Sequence, residues 1–421
     1  MAYDVAERAS DRGCIAEALC MSGHQTHHPE TVRWLPCSVA EGDAGVAVLC
    51  SYLDKCRPGS GWDRIGHGFL AAGAQMAEQT TPLQPGLYSG LSGLAFAVVS
   101  LCRHGARYQR LLAALDDEVA PRASAMAWHL RSRRGGMSVS DFDLISGASG
   151  VAAQLLLRDP HRRLPELLSS LVWMTAPMEG APRWATPPEL MGDETMRRSF
   201  PSGNLNCGAA HGIPGPLSVM SLALRAGYAV PGQAEAVRGL ADWLLAHRCD
   251  DQWGINWPTA IPLPASRETP AGRQPLPARS AWCYGSPGVA RALWLAGEAL
   301  DDNCLRQCAV EAVAAVMRRP VAARHIDSPT FCHGVAGLLQ IVLRFANDTL
   351  LPFLTEAANQ LVGQLLAAYE PDRPLGYASL EPGNHPVDRA GLLDGAAGTA
   401  MVLLAAATDV EPTWDRLFLL S

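Results

Sequence analysis

The chain has 421 residues, 48% of them hydrophobic, and a formal net charge of −7. It holds enough apolar material for a large core, while the acidic balance and the lack of any lysine or arginine run argue against a nucleic-acid partner. No stretch approaches the roughly 18 to 20 apolar residues of a membrane span, and MAYDVAERASDRG has no basic segment leading into an apolar one, so the expectation is a cytoplasmic protein without an export signal.

Along the chain, VAERASDRGCIAEALC reads as a first amphipathic helix, and GHQTHH, with His24, His27 and His28, as a solvated loop. G-x-x-G then occurs seven times: Gly42/Gly45, Gly90/Gly93, Gly147/Gly150, Gly212/Gly215, Gly285/Gly288, Gly334/Gly337 and Gly395/Gly398. One such pair means little, but each of these leads into an apolar segment, at intervals of 48 to 73 residues, which is a repeat architecture. Between them lie amphipathic segments. AEAVRGLADWLLAHR puts Val237, Leu240, Ala241, Leu244 and Leu245 on one face, and TEAANQLVGQLLAAY does so with Ala358, Leu361, Val362 and Leu365. An apolar helix needs cover on every side, whereas an amphipathic one can form a wall. The pattern therefore predicts an all-α fold, an α/α toroid of seven inner and seven outer helices forming one domain over 1–421.

Two long connections interrupt the pattern. The first, about 158–204, has room for a small insertion; the second, about 253–280, is rich in proline, as lids and docking loops are.

Phasing the repeats on the first glycine brings out the chemistry. The residue just before it is Glu41, Ser89, Ser146, His211, Tyr284, His333 or Asp394, a polar group every time. One position earlier stand Ala40, Tyr88, Ile145, Ala210, Cys283, Cys332 and Leu393. Cys283 and Cys332 thus hold equivalent positions in consecutive repeats, with His333 beside the second. Two thiolates and an imidazole suit zinc, and three protein ligands leave a fourth position open to a substrate thiol. A closed structural zinc with Cys207 or His211 as fourth ligand fits the same residues. So does a pair of plain core cysteines. The twelve cysteines are too dilute for a disulfide scaffold, and Cys304 and Cys308, at helical spacing in CLRQC, read as packing residues.

GLYSGLSGLAF, DLISGASG, NLNCGAAHGIPG, AWCYGSPG, FCHGVAG and LLDGAAGTA together resemble the lanthionine synthetase C-like family, the zinc-dependent cyclases of lantibiotic biosynthesis, over about Gly42 to Gly398. The resemblance implies an α/α toroid. It also implies a reaction: a cysteine of a precursor peptide adds to a dehydroalanine or dehydrobutyrine and closes a thioether ring. It makes Cys283, Cys332 and His333 the Zn2+ ligands, His211 the acid/base residue, and Asp143, Arg279 and Tyr284 its companions near the site. The physics agrees in outline. Histidine exchanges protons near neutrality, Asp143 could orient it or merely cap a helix, and Arg279 could neutralise developing charge.

The implied partner is a dehydrated precursor peptide, with a leader and a cysteine-containing core. A separate dehydratase is expected because the chain shows no extension long enough to hold one, and the resemblance leaves room for a transporter and a membrane-associated complex. Two other readings fit the same residues: an enzyme adding glutathione or another thiol to dehydrated residues, and a non-catalytic, zinc-stabilised scaffold that binds peptide.

Overall fold

Each G-x-x-G turn opens a helix. The computed structural model describes residues 1–80, 83–102, 105, 107–176, 181–264 and 276–421. In it these helices are α1 (Asp43–Cys56), α2 (Leu91–Leu101), α3 (Ala148–Leu155), α4 (Pro214–Arg225), α5 (Ser286–Ala299), α6 (Val335–Thr349) and α7 (Ala396–Ala407). The first glycine is the N-cap residue in all but α4, where Ile213 takes that place ahead of Pro214, whose fixed φ suits the first helical position. Burial follows the apolar sequence: Asp43–Leu53 of α1 and Ala396–Leu404 of α7 are buried without interruption.

Four of the turns ahead of these helices share one geometry. The N–H groups of Leu91, Ile213, Val335 and Ala396 donate to carbonyls seven residues back, on Gln84, Asn206, Ser328 and Arg389, at 2.8 to 3.2 Å. Each bond satisfies an N–H that a helix start leaves without an intrahelical acceptor. The chain thus folds over the helix start, and the glycines lie beneath it. A Cβ on Gly334 would overlap the Ser328 carbonyl, and one on Gly337 the Phe331 carbonyl, each six residues back. The same relation joins Gly288 to Trp282 and Gly398 to Leu392. The paired glycines therefore serve first the close approach of their own turn, and only secondarily neighbouring elements, such as the Ala209 Cβ facing Gly288. Gly285 adds a second requirement, a φ of +95° that side-chain-bearing residues rarely adopt.

The described residues group into two compact units. In the unit made of Met1–Leu115 and Val321–Asp415, α2, α1, α7 and α6 are neighbours in that order. Amphipathic helices back them: Trp62–Gln79 against α1, Pro352–Ala367 against α6, and Ala2–Ala9 against α7. The expected first helix is in fact two, Ala2–Ala9 and Arg12–Gln25. Asp11 restarts it, its carboxylate accepting the Cys14 N–H at 2.9 Å as an N-cap. Helix Pro352–Ala367 buries Ala358, Leu361 and Leu365, while Val362 at the margin of the stripe is half-buried.

In the other unit, Asp116–Pro320 with Arg416–Ser421, α3, α4 and α5 are neighbours in that order. Helices Leu164–Thr175, Gln233–Ala246 and Asn303–Arg318 back them. Val237, Leu240, Ala241 and Leu244 are buried as expected, with Leu245 half-buried. Cys304 is exposed and Cys308 half-buried, so neither is a core residue.

The connection 158–204 contains helix Leu164–Thr175, the single turn Pro188–Leu190 and the short helix Glu194–Ser199. It ends in strand β1 (Asn204–Asn206), which pairs antiparallel with β2 (Ala260–Pro262) in the register Asn204 to Pro262 and Asn206 to Ala260. Thr186 bridges Asn204 from the other side. The two long connections are therefore stitched together. Of the proline-rich stretch 253–280, residues 265–275 lie outside the described residues. A second ladder joins β3 (Ser379–Glu381) to β4 (His385–Val387), so the multi-helical, all-α class holds with two short strand pairs added. No helix among the described residues is long and apolar enough to cross a membrane.

Two glycine substitutions in the first unit separate close approach from helix propensity. Gly337→Ala places its Cβ on the Phe331 carbonyl and should destabilise by about 1 to 3 kcal/mol, as overpacking does. Gly363, inside helix Pro352–Ala367, has nothing within 4 Å of an added Cβ, so Gly363→Ala should stabilise by about 0.5 to 1 kcal/mol. Denaturant midpoints of the two variants should move in opposite directions.

Candidate functional site

The loop geometry fixes the two residues ahead of each helix-starting glycine. In the first unit the Cys332 N–H donates to the Leu393 carbonyl at 3.0 Å, the Leu393 N–H to Ala40 at 3.2 Å, and the Ala40 N–H to Tyr88 at 3.3 Å. In the second, the Ala210 N–H donates to the Cys283 carbonyl at 3.5 Å. All these residues stand two positions before a glycine. The phase read from the sequence is thus a run of backbone hydrogen bonds through successive turns.

Cys283 and Tyr284 precede Gly285 and α5; Cys332 and His333 precede Gly334 and α6. Both thiols stand where helix N-termini favour negative charge. One ligand atom each from Cys283, Cys332 and His333 lie within 4.8 Å of one another, and no other cysteine, histidine, aspartate or glutamate among the described residues joins them. Cys207 sits apart, wholly buried with its sulfur toward the Leu205 carbonyl at 3.7 Å, and burial pushes its thiol well up. Asp394 lies behind His333, its Oδ1 at 3.5 Å from the imidazole Nδ1. That oxygen is buried with no hydrogen-bond partner among the described residues. Loss of water raises the Asp394 carboxyl, a rise that His333 and Arg389 offset only in part.

Asp143 and His211 form a second group. Asp143 is 1% exposed and divides its oxygens between two tasks. Oδ1 accepts the N–H groups of Ser146 and Gly147, both at 2.8 Å, closing the turn ahead of α3. Oδ2 lies 2.6 Å from Nδ1 of the half-exposed His211. With Nδ1–H donating to that oxygen, Nε2 is the nitrogen turned away from Asp143. The aspartate caps a turn and also orients the imidazole.

Tyr284 shares a cavity of about 150 Å³ with His211. Its hydroxyl accepts from Asn206 Nδ2 at 3.3 Å, and its ring covers Gly208, where a Cβ would overlap it. Asn206 Oδ1 in turn accepts the Gly208 N–H at 2.9 Å. Arg279 is exposed and makes no hydrogen bond or ion pair with His211 or Asp143.

The sequence reading passed over Asn206, Thr186, Asn204 and Met191, which line the cavity. The asparagines alternate in NLN, a strand signal next to His211 that could have marked them. It also left Asp394 as one polar residue among seven. The arrangement offers a soft three-donor set for a metal, an imidazole of fixed orientation, and a phenol beside it.

The family model for lanthionine synthetase C-like protein matches residues 33–419. The nisin biosynthesis protein NisC of Lactococcus lactis subsp. lactis is 25% identical over 348 residues, covering 79% of this chain and 77% of that protein. A solved structure of nisin cyclase aligns with a TM-score of 0.79 at 21% identity, over 92% of this chain and 93% of that one, so the two share a fold. With a family match that runs through every G-x-x-G turn and all seven site residues, the chain belongs to the lanthionine synthetase C-like family.

Proposed function

We propose that the chain is a zinc-dependent lanthipeptide cyclase, closing (methyl)lanthionine rings in a dehydrated precursor peptide. The observation that carries the reading is the gathering of Cys283, Cys332 and His333 within 4.8 Å. Two thiolates and an imidazole are a zinc donor set, and three protein ligands characterise sites that accept a substrate atom. The absence of Cys207 and His211 from the set speaks against a closed structural site. The α/α toroid with seven inner and seven outer helices in one domain belongs to the same proposal, supported by rows of buried helices backed by amphipathic ones.

When bound there, zinc would supply a substrate cysteine as thiolate at neutral pH, where a free thiol of pKa about 8.5 is mostly protonated. The sulfur bonds to Cβ of dehydroalanine or dehydrobutyrine, the Cα=Cβ π pair moves toward the carbonyl as an enolate, and a proton must reach Cα. His211 delivers it from Nε2. Asp143 holds the opposite nitrogen and stabilises the imidazolium form. Tyr284, in the same cavity, can donate its hydroxyl hydrogen where enolate charge develops. Arg279, exposed and apart from the dyad, is given charge neutralisation on the peptide and no share in the proton transfer. A dehydrating enzyme must act first, since the acceptor is already dehydrated.

Metal and proton roles should fail differently. Wild type should bind about one zinc per chain, Cys332→Ala should lose most of it, and His211→Ala should keep it while ring closure falls by about 10² to 10⁴. Metal analysis and alkylation of free thiols before mass spectrometry read the two. Full zinc in Cys332→Ala, or wild-type closure in His211→Ala, overturns the assignment.

A carboxylate beside a ligand histidine fixes the ring, and losing such a partner costs about 10- to 100-fold in metal affinity. Asp394→Ala should weaken zinc by that factor in a chelator competition; an unchanged affinity would make Asp394 a bystander.

A further inference from the structure

The cavity shared by His211 and Tyr284 has a second wall built by the connection 158–204 and β1. Thr186 and Asn204, each 1% exposed, line it. Thr186 Oγ1 and Asn204 Oδ1 are buried, with no hydrogen-bond partner among the described residues. Asn204 is held in place, its Nδ2 donating to Met191 Sδ at 3.0 Å. The backbone beside them is spoken for: Thr186 and Asn204 exchange both N–H···O bonds at 2.9 Å, and β2 covers the other edge of β1. No strand can be added here, so a ligand would be met by side chains, these two among them. The large apolar residues of this wall are Met191 and Met196, and thioethers adapt to irregular guests.

Buried polar groups in native proteins are almost always paired, and exceptions call for an explanation such as a ligand. Two exceptions in one small cavity, beside the proton-transfer dyad, point to the same guest. We propose that this cavity is a peptide subsite that receives a residue flanking the dehydrated one, Asn204 Oδ1 accepting its backbone N–H and Thr186 Oγ1 donating to an adjacent carbonyl. The methionines would take its side chain. A volume of about 150 Å³ holds a benzene ring, so aliphatic and phenyl side chains fit and an indole does not. The subsite rests on the cyclase reading and adds to it a choice of sequence context made by residues outside the proton-transfer dyad and the metal ligands.

The test uses zinc-loaded full-length protein and fluorescent dehydroalanine peptides lacking cysteine, with binding read by anisotropy. In two analogues an ester oxygen replaces the N–H of the residue before or after the dehydroalanine. One analogue should bind wild type about tenfold more weakly than its amide parent, the loss of one well-made hydrogen bond. In Asn204→Leu that amide-to-ester ratio should fall to near one. Thr186→Val, which keeps the shape of the side chain, should bind the parent peptide several-fold more weakly without a lower thermal midpoint, since it deletes an unpaired hydroxyl.

Tryptophan at the flanking position should bind wild type poorly and Met191→Ala better. Equal ratios in wild type and Asn204→Leu, or no peptide binding by wild type, overturn the subsite. Ring closure on a parallel peptide that carries cysteine is scored separately. Wild type that discriminates amide from ester yet closes no ring keeps the subsite and sinks the cyclase reading.

Discussion

The structure depends on how the chain passes over each helix start. At most of these starts a hydrogen bond from the first helical residues to a carbonyl seven residues back closes the turn, and a carbonyl six residues back lies against the glycine, as at Gly334 and Gly337. At Gly334 and Gly337 these contacts leave no room for a Cβ, so glycine at both positions of that turn is a steric requirement. What the turn secures is direction. Residues one and two before the first glycine lie at a helix N-terminus, their backbone tied to the matching residues of the next turn, as Cys332 is to Leu393 and Leu393 to Ala40. A side chain placed there is held by the scaffold, independent of its own chemistry. That is why a cysteine, a histidine or an aspartate can occupy this position without disturbing the apolar helix that follows.

Different repeats use the same position for different tasks. In one turn Tyr284 follows Cys283; in another, His333 follows Cys332; His211 holds the corresponding place ahead of Gly212. The proposed metal donors and the proposed proton donor are therefore variations on one backbone. Asp143 departs from this pattern. It stands four residues before its glycine, far enough back for one oxygen to close the turn and the other to reach His211. A single buried carboxylate thus ties the integrity of a turn to the orientation of an imidazole.

Much of this was legible in the sequence because its causes are local. Glycine pairs ahead of apolar runs mark helix starts, the stripes Val237–Leu240–Ala241–Leu244 and Ala358–Leu361–Leu365 mark backing helices, and the common phase of Cys283, Cys332 and His333 marked the triad. Asp143 was read as either a cap or an orienting group, and it is both. What stayed hidden depends on long-range pairing or on the lack of it. Nothing near Asn204 announces that it will pair with Pro262, and the N-terminal helix looked continuous because Ser10–Asp11 does not break its apolar periodicity. Arg279 was placed among the site residues by motif alone, and its exposed side chain makes no hydrogen bond or ion pair with His211 or Asp143.

The least legible residues, Thr186 and Asn204, illustrate a limit on pattern reading. Their types are ordinary for loops and strand ends, and a sequence records that a hydroxyl or amide exists without recording whether the fold pairs it. Their meaning lies in what they lack, and that becomes visible only when neighbouring groups are in place. Buried unpaired acceptors cost stability, so a fold selected only for stability would replace them with valine or leucine of similar shape. Their cost falls on a cavity wall beside His211, where a bound peptide could repay it.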